Sequence, residues 1–151
     1  MIFVVRHAHA GSSSAWKGPD DERPLSDRGH LQAKRIAEAL FADGATTVMS
    51  SPYLRCVQTV SPLASMLDMD VEQSPELVEG AGGSGAARLV MAAVEGTVLC
   101  SHGDVLHDLV GRLAAAGAPL GTWMQFEKAA VLRLERDGSR IVSARYDPPE
   151  R

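Results

Sequence analysis

Ile2-Phe3-Val4-Val5-Arg6-His7-Ala8-His9-Ala10-Gly11 opens the chain. Four apolar residues, β-branched or aromatic but for none, read as a short buried strand, and the charged pair behind them marks its end. A second run of the same kind, Thr97-Val98-Leu99-Cys100, stops at Ser101-His102-Gly103. A third, Thr46-Thr47-Val48-Met49-Ser50, stops at Ser51-Pro52.

Helical patterns lie between these strands. Ser26 is the expected N-cap of the first, with Leu31, Ala33, Ile36, Ala37 and Leu40 as its apolar face and Asp43-Gly44 as its stop. Ser51 is the expected N-cap of the second, with Pro52 at the first helical position. That helix should reach about Leu67, with Pro62 a point of kinking or breakage. Val71-Glu72 begins a strand-like stretch toward Pro75. The Gly-rich segment from Glu79 to Gly85 should be mobile. Short helices follow from about Ala86 to Val94 and from about Asp104 to Ala115, the latter with Leu106, Leu109, Val110 and Leu113 on its apolar face. At the end, Ala130–Leu134 and Arg140–Ala144 flank Asp137-Gly138, a hairpin signal.

Strands alternating with helices predict an α/β fold. The expected architecture is a three-layer sandwich: a mainly parallel central sheet flanked by helices, with the C-terminal hairpin at its edge. The whole chain, 1–151, is expected to form one domain without repeat or linker, ending in a frayed tail from Pro148 to Arg151.

Composition excludes several classes. With 45% hydrophobic and 23% charged residues, the 151-residue chain is not a disordered one. A net charge of −4 offers no field for nucleic-acid backbones. No apolar run approaches a membrane span, and the five apolar residues before Arg6 run in the wrong order for a signal peptide. Cys56 and Cys100, without metal spacing, read as free thiols of a reducing compartment, so a cytoplasmic location is expected.

In α/β sheets, ligands bind beyond the carboxyl ends of the strands. The topology brings Arg6, His7, Arg55 and His102 to that edge, Arg55 from the first turn of the second helix. Arginine forks suit phosphate oxygens, and histidine can act as a nucleophile. The expected ligand is a phosphoryl group, held without metal or other cofactor because Arg and His⁺ supply the charge.

These segments resemble the histidine phosphatase (phosphoglycerate mutase-like) superfamily. Arg6-His7-Ala8 resembles its Arg-His-Gly signature. Ser51 to Thr59 resembles its Ser-x-x-x-Arg-x-x-Gln-Thr segment, and Ser101-His102-Gly103 its second His-Gly motif. Leu25-Ser26-Asp27-Arg28-Gly29 with Gln32-Ala33 resembles a helix start of the family. Pro75 to Glu79 resembles the stretch that carries a proton donor. The matches follow the family's order from Ile2 to about Leu113. The short chain and Arg-His-Ala-x-Ala-Gly are similar to the small SixA-like phosphohistidine phosphatase branch, and to a phosphatase domain fused to Nudix hydrolases.

The resemblance implies that His7 attacks phosphorus and becomes a phosphohistidine. Arg6, Arg55 and His102 would hold the phosphoryl oxygens, with His102 also counted among the catalytic residues. Glu79 would protonate the leaving oxygen and later assist water, with Glu76 and Asp104 as alternatives. Ala8 departs from the usual glycine, which requires negative φ there. Ala10 stands where mutase-like members carry Ser or Thr. The short Gly80–Ala87 region favours a phosphatase over a mutase.

Other readings stand beside these. The chain is alternatively a phosphoglycerate mutase-type transferase, or a phosphate-binding regulatory module without catalysis. His7-x-His9 also fits a metal site if further ligands converge, although His9 should point away from His7. His30 and His107 read as surface or packing residues. Cys56, beside Arg55, reads as a buried small residue or as a thiol of lowered pKa. Trp16 and Trp123 fit either a substrate rim or packing. The expected partner is a phosphorylated small molecule or a phosphohistidine protein. The sequence leaves the substrate and the oligomeric state open.

Overall fold

The structure, a computed structural model, describes residues 1–121 and 125–150. Ten principal elements follow in chain order: β1 (Ile2–Arg6), α1 (Asp27–Ala42), β2 (Thr47–Ser50), α2 (Leu54–Met66), β3 (Glu72–Gln73), α3 (Ser84–Ala92), β4 (Thr97–Ser101), α4 (Gly103–Ala115), β5 (Val131–Asp137) and β6 (Arg140–Asp147). The sheet runs β3-β2-β4-β1-β5-β6. β1, β2, β3 and β4 are parallel, and the hairpin β5–β6 joins antiparallel to β1, leaving β6 at the edge.

Strand order explains the layers. The chain moves outward from β1 to β2 to β3, then turns back to place β4 between β2 and β1. Crossovers between parallel strands keep one hand, so reversing direction moves the connecting helix to the opposite face. α1 and α2 therefore cover one face, with Ile36, Leu40, Val60 and Leu63 against Phe3, Val5 and Val98. α3 and α4 cover the other, with Val90, Leu106 and Leu109 against Ile2, Val4 and Leu99. β1 alternates its side chains between two cores, which is why its run is apolar throughout.

Several expectations shift. Leu31 is 59% exposed, whereas Gly29, Gln32, Ala33, Ile36, Ala37 and Leu40 are buried. The buried set follows the helical i, i+3, i+4, i+7 spacing, and Leu31, two residues before Ala33, falls on the far side. α2 starts at Leu54 with Tyr53 as the preceding cap, so Ser51 and Pro52 lie before the helix. α2 runs through Pro62 for another turn. The stretch from Val71 to Pro75 yields only the two-residue β3, then a 3-10 turn at Pro75–Leu77. The segment expected to be mobile is fastened to α4: Gly80 N donates to Asp104 Oδ2 (2.7 Å) and Gly83 N to Asp108 Oδ2 (2.6 Å). Ser26 caps α1 as expected, accepting from Gly29 N at 3.1 Å. Trp123 lies outside the described residues. Among the described residues, no helix is long and apolar enough to cross a membrane.

Candidate active site

β1, β2 and β4 finish at one level, with Arg6 opposite Ser101 and Ser50 opposite Cys100. Backbone bonds carry the ladder one residue further. His7 N donates to Ser101 O (3.1 Å) and Ser51 N to Cys100 O (2.9 Å). His7, Ser51 and His102 thus leave the sheet side by side at its carboxyl edge.

The loop after β1 is locked from both sides. Ala8 N donates to Thr59 Oγ1 (2.9 Å), and His9 N to Gln32 Oε1 (2.9 Å). His9 O accepts from Ser26 N at 3.0 Å. α1 approaches so closely that a Cβ on Gly29 would lie 2.0 Å from His9 O. Ala8 is buried and keeps negative φ, so it substitutes for glycine without strain.

His7 is 4% exposed, and its Nδ1 lies 2.9 Å from Ala8 O. A carbonyl only accepts, so Nδ1 carries the proton and Nε2 keeps its lone pair. Burial pushes the ring's pKa down to about 3, with the charges of His102, Arg55 and Arg6 adding to the effect against the Ala8 bond. The ring is therefore neutral at physiological pH, the form that a nucleophile needs.

His102 is fully buried, with its ring 5.5 Å from that of His7 and 4.8 Å from that of Tyr53. Its Nε2 lies 2.9 Å from Ser51 Oγ. Arg55, 1% exposed, stacks on Tyr53 at 4.9 Å. It donates to Asp20 O (2.7 Å), Asp20 Oδ2 (3.1 Å) and, at the limit of hydrogen bonding, Glu79 Oε1 (3.5 Å). Arg6 donates to Phe126 O (2.7 Å), and its guanidinium lies where a Cβ on Gly103 would be, 2.8 Å from Cζ.

Three buried nitrogens, Arg6 Nε, Arg55 Nε and His102 Nδ1, have no hydrogen-bond partner among the described residues. Buried donors are ordinarily satisfied. Arg6 comes from β1, Arg55 from α2 and His102 from the N-cap of α4, and all three act by charge on the His7 ring.

Of the carboxylates weighed from sequence, Glu79 reaches the site: its Oε1 is 4.0 Å from His102 Nδ1 as well as 3.5 Å from Arg55. Glu76 pairs with Arg88 at 2.9 Å, and Asp104 holds Gly80 N. His9 turns to Ser26 Oγ (2.6 Å). Among the described residues no three His, Cys, Asp or Glu side chains gather as metal ligands. His107 is an exposed residue that bridges Gly103 O and Phe126 N. Trp16 folds onto its own loop, donating to Pro19 O at 2.8 Å. Cys56 is buried, 3.5 Å from His102 Nε2, and free, as is Cys100. Burial acts to raise the Cys56 pKa, but hydrogen bonds with Cys100 and His102 prevail and lower it.

Sequence reasoning did not anticipate the contacts of Asp20, Tyr53 and Thr59. Thr59 donates to Arg55 O (2.7 Å) while accepting from Ala8, tying α2 to the His7 loop. Its position one helical turn after Arg55 was the available signal. Asp20 lies in a polar loop with no periodicity, and nothing in the sequence marks it.

Residues 2–89 match the family described as the histidine phosphatase superfamily, branch 1. A protein of Mycolicibacterium smegmatis called 8-oxo-(d)GTP phosphatase is 39% identical over 115 residues, which cover 72% of this chain. The chain spans 36% of that relative's length. A SixA phosphohistidine phosphatase homologue of Haemophilus influenzae is 24% identical over 92% of this chain and 90% of its own. Among solved structures, the protein histidine phosphatase SixA complexed with tungstate superposes with a TM-score of 0.73 at 25% identity, covering 97% of this chain and 93% of that one.

Proposed function

This chain belongs to the histidine phosphatase superfamily, and we propose that it hydrolyses a phosphomonoester or a phosphohistidine through a covalent intermediate on His7. The observation that carries this reading is the set of unpartnered buried donors, Arg6 Nε, Arg55 Nε and His102 Nδ1, around the neutral His7 ring.

In the first step the His7 Nε2 lone pair attacks phosphorus. The bond from phosphorus to the leaving atom breaks in line, and Glu79 gives that atom a proton. Arg6, Arg55 and His102 hold the three equatorial oxygens, where charge gathers in the transition state. In the second step Glu79 takes a proton from water, which attacks the phosphoryl group. The P–N bond breaks, releasing phosphate and returning His7 to its neutral form. The two arginines supply the cationic charge, so no step calls on a metal.

One relative's name refers to a nucleotide and another's to phosphohistidine, and the proposed site would take either as a phosphoryl donor. The direct test is hydrolysis of p-nitrophenyl phosphate by wild type and His7→Ala, each with and without EDTA. The expected result is EDTA-resistant turnover that His7→Ala abolishes while the fold is retained. Normal turnover by His7→Ala would sink the reading, and loss of wild-type turnover in EDTA would replace the arginines with a metal.

A further inference from the structure

The turn before β5 holds a lysine that has no acidic partner among the described residues. Ala130 N donates to Glu127 O (3.1 Å), closing a four-residue turn with Lys128 at its corner. Ala129, the next residue, has φ +65°, a conformation that ordinarily calls for glycine. Its N–H is shared by the carbonyls of Arg6 (3.1 Å) and His7 (3.2 Å). The strained turn is thus fastened to the two residues at the centre of the site. Strain of this sort persists where the surroundings over-determine it.

The charges around Lys128 are of its own sign. Burial lowers its pKa, and Arg6, Arg23 and Arg55 lower it further. Among the described residues neither Lys128 nor Arg28 makes an ion pair. Both line a cleft of about 290 Å³ whose lining also includes Arg6, the residue before His7, with His9 and Gln125 at its surface. The carboxylate in that cleft, Glu127, receives a hydrogen bond from Tyr146 Oη at 3.4 Å. The cleft therefore sets three cationic side chains, Arg6, Arg28 and Lys128, against the one carboxylate in its lining, an excess of positive charge that a bound anion would balance.

We propose that Lys128 and Arg28, with Arg6 as the common wall, form a second anion subsite, and that the leaving group of the substrate carries its own phosphate or carboxylate. The inference rests on the phosphatase reading above and narrows it. A diphosphate or a carboxylated phosphomonoester uses both subsites, whereas the neutral imidazole left by phosphohistidine uses one.

The test is calorimetric and independent of turnover. Phosphate and methylenediphosphonate, which has no hydrolysable bridge, are titrated into wild type, Arg55→Ala, Lys128→Gln, Arg28→Gln and the Arg28→Gln/Lys128→Gln protein. Charge-assisted hydrogen bonds predict that wild type prefers the diphosphonate by about tenfold or more. Each single substitution should reduce that preference and the double should abolish it. Wild type binding phosphate in an Arg55-dependent manner without preferring the diphosphonate would overturn the subsite alone, as would a preference untouched in the double variant. Phosphate binding that survives Arg55→Ala, or its absence from wild type, would overturn the phosphoryl pocket and the subsite together.

Discussion

Ser51 Oγ lies 2.9 Å from His102 Nε2, and the same oxygen accepts from Tyr53 N at 3.2 Å. In the tautomer whose Nε2 accepts from this hydroxyl, the ring proton sits on Nδ1, the nitrogen 4.0 Å from Glu79 Oε1. A hydroxyl expected to cap α2 instead contacts a histidine on another element, and we predict that it selects this tautomer.

Ser51→Ala should therefore act on catalysis more than on folding. Loss of one buried hydrogen bond costs about 1 kcal/mol of stability. With Nδ1 no longer held as a donor, kcat/KM for p-nitrophenyl phosphate should fall by about 10²-fold or more. Steady-state kinetics beside urea denaturation separates the two effects. A variant with wild-type kinetics and only the stability loss would make Ser51 a structural residue.

Asp20 places its carboxylate at 3.1 Å on Arg55, the guanidinium proposed above to hold a phosphoryl oxygen. Burial raises its pKa, but hydrogen bonds from Arg23 and Arg55 outweigh that and hold it below the usual carboxylate range. The carboxylate must give way before phosphate engages Arg55 fully. Asp20→Asn should lower the phosphate inhibition constant by about threefold to tenfold, the scale of one exposed charge contact. A raised constant would show that Asp20 orders Arg55 for binding instead of competing with the ligand.

His7 makes folding sensitive to acid. Its ring titrates near 3 when folded, against an ordinary 6.5. Above pH 6.5 it is neutral in both states and has no effect. Between pH 6.5 and about 3 the unfolded chain binds a proton that the folded chain refuses, so stability falls as pH falls. The slope from this group approaches about 1.4 kcal/mol per pH unit. Denaturation midpoints of wild type and His7→Gln at pH 7 and pH 4.5 read it directly. The variant should lose less stability on acidification, and equal losses would contradict the buried neutral ring.

Much of this arrangement is legible in the residues themselves. The runs Ile2–Val5 and Thr97–Cys100 are apolar because two helical layers cover them, and each delivers a histidine to the same edge. Arg55 is legible because a strand and a short turn precede it. The misplacements have physical causes. Ser51-Pro52 carries the usual chemistry of a helix start, but tertiary contact with His102 takes the hydroxyl, and α2 begins at Leu54. Leu31 is apolar without being buried, because the face of α1 that carries Gly29, Ala33 and Leu40 is the one turned inward. Asp20, in a short 3-10 turn, is brought to the site by the Arg55 side chain, and the turn of Lys128 by long-range bonds from Ala129 N to Arg6 O and His7 O. No local pattern in the sequence records such bonds.

The central claim is a phosphoryl group on His7 Nε2, and rapid acid-free quench with mass spectrometry tests it most directly. Wild type is mixed with p-nitrophenyl phosphate, quenched at alkaline pH and digested, and the peptide carrying His7 is analysed. An adduct of one phosphoryl group on His7 is expected, formed as p-nitrophenol is released and enriched in Glu79→Gln if the second step slows more than the first. Turnover with no adduct on His7, or an adduct that persists in His7→Ala, would contradict it.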